Sequence, residues 1–179
     1  TPALLEKLTV ASSQHNIDRL FLRLPEDCHL RPVAVEAGFE PYLVERLYQW
    51  TEHRSSNQDQ WVISGIWRSK TKRDDRDVYQ LYCDVTPATV RQAEGLSFTE
   101  WLQAREKLRG CQEKVWEQAT SQIRCWARAR PWWDGILLEF LSYPGDEAAF
   151  IPLIKGIIHN NRPVYMLIPS YHTQIQCLA

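Results

Sequence analysis

Few of the usual signs of a mechanism are present. The five cysteines (Cys28, Cys83, Cys111, Cys125 and Cys177) are an odd number, spaced far apart and without a Cys-x-x-Cys pair. That excludes a disulfide framework or a zinc knuckle and predicts reduced thiols in a cytoplasmic protein. No apolar run approaches the roughly 18–20 residues that span a bilayer, and no secretory signal is visible, so a soluble protein with no membrane partner is expected. Acidic and basic side chains nearly balance, 22 against 21, for a formal charge of −1. This leaves no whole-protein attraction for nucleic acid or anionic lipid. His15, His29, His53, His159 and His172 show no metal-ligand spacing, and His15 and His159 sit at matching helix ends, where a cation suits the dipole. There is no Walker loop, dinucleotide fingerprint or Ser-His-Asp grouping.

What is present is an ordinary globular balance, 44% hydrophobic and 24% charged over 179 residues, enough for one good-sized domain or one domain and part of another. The clearest stretch is 132–169. An apolar run, 136–141, is interrupted by Glu139, and Tyr143-Pro144-Gly145-Asp146 supplies turn residues and a helix N-cap. Phe150, Leu153, Ile154, Ile157 and Ile158 follow at helical spacing, before a second run, 164–168, that Pro169 stops. This is a βαβ unit, predicting parallel strands and a right-handed crossover.

Upstream, 1–14 reads as an amphipathic helix, 17–24 as a strand, and 31–37 as a short helix ended by Gly38. Residues 39–50 alternate as a long strand, and 52–60 (EHRSSNQDQ) is polar enough to be a linker. A strand is expected over 61–68. Three helices follow, opened by Asp74-Asp75, by Thr86-Pro87 as N-cap and N1, and by Ser97 with Glu100 at capping-box spacing. Strands over 114–119 and 122–130 lead into the βαβ unit, and 172–179 reads as the start of a last helix. The chain begins at Thr1 without Met and stops at Ala179 within that helical pattern, so a fragment is expected.

Leu20-Phe21-Leu22-Arg23-Leu24-Pro25 echoes Val164-Tyr165-Met166-Leu167-Ile168-Pro169. Each copy follows a helix ending in polar residues and precedes another helix. Residues 1–51 therefore read as the closing half of one domain, 52–60 as a linker, and 61–179 as most of a second domain of the same type. The edge left by its missing strands predicts a homodimer or strand pairing within the chain.

These residues carry a resemblance to the GNAT superfamily of N-acyltransferases. Leu138-Glu139-Phe140-Leu141-Ser142-Tyr143-Pro144 is similar to the family's fourth strand ahead of its pyrophosphate loop, and Val35-Glu36-Ala37-Gly38-Phe39-Glu40-Pro41-Tyr42 resembles its Gly-Phe step. The resemblance implies an α/β (α+β) fold, a mixed sheet flanked by helices, with part of a second copy. It also implies acetyl transfer from acetyl-CoA to an amine of a small molecule or peptide. Phe140, Leu141, Ser142, Gly145 and Ala148 are the implied acyl-CoA contacts, Glu139 the implied general base, and Tyr171 a substitute general acid, because the family's usual tyrosine position holds Ala34 or, by the repeat, Leu178. The loop departs from the family pattern: Gly145-Asp146-Glu147-Ala148-Ala149 has one glycine, no basic residue and two carboxylates. The alternative expectation is therefore a catalytically degenerate domain kept for binding or domain pairing.

Arg124, Trp126, Arg128 and Arg130 alternate with Cys125, Ala127 and Ala129. Such a strand could stack bases and bind phosphates, but a cationic face over a small-residue core face is the plainer account, and nucleic acid is not expected as a partner.

Overall fold

The computed structural model describes residues 2–15, 17, 19–50, 65–104, 109–118, 121–158 and 162–172. Contacts divide the chain into two compact units, Thr1–Tyr42 and Leu43–Ala179.

The first unit holds α1 (Pro2–Gln14) and α2 (Arg31–Glu36). Pro32 sits in the first turn of α2, where a missing N–H costs nothing, and Gly38 at φ +89° ends the helix with its N–H donated to Val35 O. The strand expected over 17–24 is not formed: its described residues, 17 and 19–24, are in no strand.

The second unit is built on one sheet. In chain order its strands are β1 (Glu45–Gln49), β2 (Ile66–Ser69), β3 (Gln112–Glu117), β4 (Ile123–Trp132), β5 (Gly135–Ser142) and β6 (Val164–Pro169), and its helices are α3 (Asp75–Val85), α4 (Ala88–Glu94), α5 (Phe98–Ala104) and α6 (Phe150–Ile158). The sheet order is β1-β6-β5-β4-β3-β2. All neighbours are antiparallel except β5 and β6, which run parallel on either side of α6, as the βαβ reading expects.

Alternation along the strands sends side chains to two cores. Cys125, Ala127, Leu138, Phe140, Val164, Met166 and Ile168 pack against Phe150, Leu153 and Ile154 of α6. On the opposite face Val115, Trp126 and Leu141 pack against Val78, Leu81 and Tyr82 of α3 and Trp101 of α5. A side chain of this size contributes about 1.5–3 kcal/mol when taken out of water, so these two layers fix the sheet between its helices.

The local signals hold well. Ser97 and Glu100 form the reciprocal capping box, Ser97 N–H donating to Glu100 Oε2 at 2.7 Å and Glu100 N–H to Ser97 Oγ at 3.3 Å. Gly95 ends α4 in the left-handed region. Three expectations need correction. The strand expected over 39–50 is ladder only at Glu45–Gln49, because β6 offers register for those five residues. Thr86-Pro87 opens α4 one position later than expected, with Pro87 at the N-cap. Asp146 does not cap the helix: its carboxylate is turned to Arg124, and a 3-10 turn, Glu147–Ala149, precedes α6. The expected linker 52–60, residues 61–64 of the strand expected over 61–68, and all but His172 of the helix expected over 172–179 lie outside the described residues.

Candidate functional site

The site grows out of β5. Gly135 begins the strand because a Cβ there would lie 2.2 Å from Pro163 O, so the chain can approach this closely only at glycine. The ladder to β4 is continuous from Trp132↔Gly135 to Cys125↔Ser142. The ladder to β6 is not: it holds Ile136↔Val164, Leu137↔Tyr165 and Leu138↔Met166 and then stops. On its other edge β6 pairs with β1, Glu45↔Pro169 through Gln49↔Tyr165. Beyond Leu138 and Met166 the two parallel strands part, and backbone groups of residues 139–142 on that side have no strand partner among the described residues.

Side chains at the parting fall on two faces. Phe140 joins the α6 core, and Ser142, two residues on, is 1% exposed with an Oγ that meets no hydrogen-bond partner among the described residues. Leu141 joins the α3 core. Glu139 is bracketed by arginines of β4, its carboxylate 3.8 Å from Arg128 Nη1 and 3.6 Å from Arg130 Nε. Arg128 also approaches Glu113 of β3 at 4.0 Å, so Glu113, Arg128 and Glu139 form a charged row across three strands. The arginine face of β4 is therefore not a free cationic surface: Trp126 and Arg128 are each 8% exposed. Arg130 lies 5.0 Å from the Trp132 ring.

Past β5 the chain turns through Gly145, at φ +94°. The Gly145 N–H donates to Glu147 Oε2 at 2.9 Å. Asp146 Oδ2 accepts from Arg124 Nε at 2.8 Å and lies 2.7 Å from Arg124 Nη2. The Arg124 guanidinium in turn sits 4.3 Å from the Tyr143 ring. Burial and a hydrogen bond donated to Asp84 raise the Tyr143 phenol to about 12. Each carboxylate of this loop thus has a donor of its own, and Ala148 is half-buried beside them.

Tyr171 belongs to another cluster. It follows β6, is half-buried, and stands 4.6 Å from the His172 ring. Burial raises its phenol above the usual value; the nearby Thr86 hydroxyl opposes the rise, and the charges of Glu94 and Glu45 add to it. Glu94 accepts a hydrogen bond from Tyr82, whose phenol burial also raises. His172 is 8% exposed, its Nε2 has no partner among the described residues, and burial lowers it to about 4. The fold gathers Phe140, Leu141, Ser142, Gly145 and Ala148 along one strand and its turn, whereas Glu139 and Tyr171 sit in separate clusters. Thr86, Glu94 and His172 were not singled out as site residues, because nothing in a linear reading places the end of α3 against the end of β6.

Among the described residues no group of three or more acidic, histidine or cysteine side chains could hold a metal ion, and no helix is long and apolar enough to cross a membrane.

No protein-family model matches the chain and no curated protein is similar to it. Solved structures are. A conserved protein of unknown function from Staphylococcus epidermidis ATCC 12228 superposes with a TM-score of 0.53 at 14% identity, over 95% of this chain and 71% of that one. A conserved protein of unknown function from Enterococcus faecalis V583, described as a probable N-acyltransferase, gives 0.51 at 11% identity, over 93% of this chain and 42% of that one. A GNAT superfamily phosphinothricin acetyltransferase from Sinorhizobium meliloti, solved with AcCoA, gives 0.42 at 12% identity over 55% of this chain and 60% of its own, a level that adds nothing to the argument. The chain spans between 42% and 71% of the length of these proteins. At such identities the likeness speaks for the fold, and the fold is a GNAT-like α/β arrangement, a mixed six-stranded sheet with helices on both faces.

Proposed function

We propose that the second unit is an N-acyltransferase that moves an acetyl group from acetyl-CoA to the amine of a small molecule or peptide. The observation that carries this reading is the parting of β5 and β6 after Leu138 and Met166. It leaves a strand edge on which an extended amide-bearing chain such as pantetheine can hydrogen-bond, between Phe140 on one face and Leu141 on the other. Ser142 adds a buried hydroxyl in need of a partner. An unpaired strand amide also suits the thioester carbonyl, whose oxygen gains negative charge as the amine attacks.

The steps assigned to this chain are two proton movements. Glu139 takes the proton that the amine loses as its nitrogen bonds to the acyl carbon. The carbon–sulfur bond breaks, and Tyr171 returns a proton to the departing thiolate. Glu139→Gln should lower kcat by about 100-fold or more with KM for acetyl-CoA little changed. An unchanged kcat would remove Glu139 from this role.

A second reading rests on the turn. The amide of Gly145, in the turn ahead of α6, already donates to Glu147, and the nearby Arg124 is engaged by Asp146. Negative charge there opposes a diphosphate, which favours a domain that keeps the fold for binding or pairing without catalysis. A calorimetric titration with acetyl-CoA separates the two. Measurable heat with a rise in Tm supports the enzyme; neither heat nor stabilisation supports the non-catalytic domain.

A further inference from the structure

The hairpin between β4 and β5 turns on two residues, Trp133 and Asp134, beyond the last pair of its ladder, Trp132↔Gly135. The first position of such a loop calls for a positive φ, which suits glycine, asparagine or aspartate. Here it holds Trp133, at φ 29° and 95% exposed. A bulky side chain in the left-handed region strains the backbone, and a ring left almost wholly in water buries too little to offset that. The ring is nevertheless held. It stacks on Trp132 with centroids 5.8 Å apart and planes 7° from parallel, and the Arg130 guanidinium lies 5.0 Å from the Trp132 ring.

The surroundings of this tip are basic. A Cβ on Gly110 would lie 3.2 Å from the Pro131 ring, and one on Gly135 would lie 2.2 Å from Pro163 O. Arg109 and Arg162, each one residue from these close approaches and each exposed, therefore flank the hairpin ahead of β3 and β6. Neither has an ion pair among the described residues. The tip's one carboxylate, Asp134, accepts a hydrogen bond from the Tyr165 phenol at 3.3 Å.

We infer that this hairpin is a membrane-surface contact, which sets the Trp133 indole into the headgroup layer of an anionic phospholipid bilayer with Arg109 and Arg162 against the lipid phosphates. Shape selects the occupant. Small-molecule sites are concave, whereas a ring 95% exposed stands on a convex tip. Single-stranded nucleic acid lies in a groove that tracks its backbone, and the arginine row of β4 that would line one is paired with Glu113 and Glu139. A fluid interface conforms to a convex tip, and tryptophan favours the headgroup level. The attraction of arginines for anionic lipid acts within a Debye length, so a formal charge of −1 over the whole chain does not oppose it. Nor does the lack of a helix able to cross a membrane among the described residues, since a surface contact needs none. The tip lies at the start of β5 and the parting from β6 toward its end, so the inference goes beyond acyl transfer and stands without it.

The test sediments the full chain with vesicles of phosphatidylcholine and phosphatidylserine in equal parts, and with vesicles of phosphatidylcholine alone. The mixed vesicles should bind about 25-fold more tightly, at about fivefold for each arginine. Trp133→Gly suits the turn, so Tm should hold or rise, while binding to both vesicles should weaken about 10-fold. Arg109→Ala combined with Arg162→Ala should abolish the preference for the mixed vesicles. Four results would overturn the inference: no sedimentation with mixed vesicles, binding that Trp133→Gly leaves unchanged, a preference that survives the double arginine variant, or a labelled oligouridine bound through Trp133 by a protein that ignores vesicles, which would make single-stranded nucleic acid the occupant.

Discussion

The two halves of β5 are equally buried but differently bound. Leu137 and Leu138 are enclosed by ladders on both sides and are each 1% exposed. Phe140, Leu141 and Ser142 are buried too, yet their strand is paired on the β4 side alone. Side-chain packing therefore holds the second half in place without using its outer backbone groups. A strand whose core is complete and whose edge is open is suited to receiving a ligand at little cost in stability, because the ligand adds hydrogen bonds and displaces none.

That contrast can be broken most forcefully in the closed half. Leu138→Ala removes a side chain packed among Phe140, Phe150, Val164 and Met166, and should lower stability by about 2–5 kcal/mol in denaturant unfolding. A loss well under this would mean that the closed half is no better packed than the open one.

Acid should act at the open end. His172 is held to about 4 by burial, against about 6.5 in an unfolded chain, so between these values the unfolded form binds the proton more readily. Stability should be full above about pH 6.5 and decline as the pH falls toward 4, by up to about 3 kcal/mol at about 1.4 kcal/mol for each pH unit. Tyr171, Glu94 and Glu45 are the titratable groups nearest this segment. His172→Gln should flatten that part of the profile; an unchanged slope would assign it to other groups.

The smallest effect is expected at Ser142. Its buried hydroxyl meets no partner among the described residues, so Ser142→Ala should leave stability within about 0.5 kcal/mol or raise it slightly. A loss of 1 kcal/mol or more would reveal a partner in the free protein.

What could be read from the sequence was local. The βαβ unit declared itself through two apolar runs around a helical period. The Ser97–Glu100 capping box and the glycine ends of α2 and α4 depend on residues within four positions of each other. What could not be read was set across the chain. β1 finds its place beside β6 through a register made by residues about 120 positions apart, and the strand expected over 39–50 shortened to fit it. The expected N-cap at Asp146 was taken by Arg124, 22 residues earlier, because a guanidinium competes well for a carboxylate. The candidate site divides in the same way. Phe140, Leu141, Ser142, Gly145 and Ala148 are consecutive enough to be found together, whereas Tyr171's neighbours Thr86 and Glu94 come from a distant turn and helix.

The proposal that acetyl-CoA lies along the open half of β5 is tested most directly by amide hydrogen exchange on the full chain with and without saturating acetyl-CoA. The N–H groups of residues 140 and 142, which alternate toward the open side while those of 139 and 141 face β4, should slow at least 10-fold, and those of 136–138 should be unchanged. Acetyl-CoA that leaves 140 and 142 exchanging as before, or that protects 136–138 equally, would contradict it.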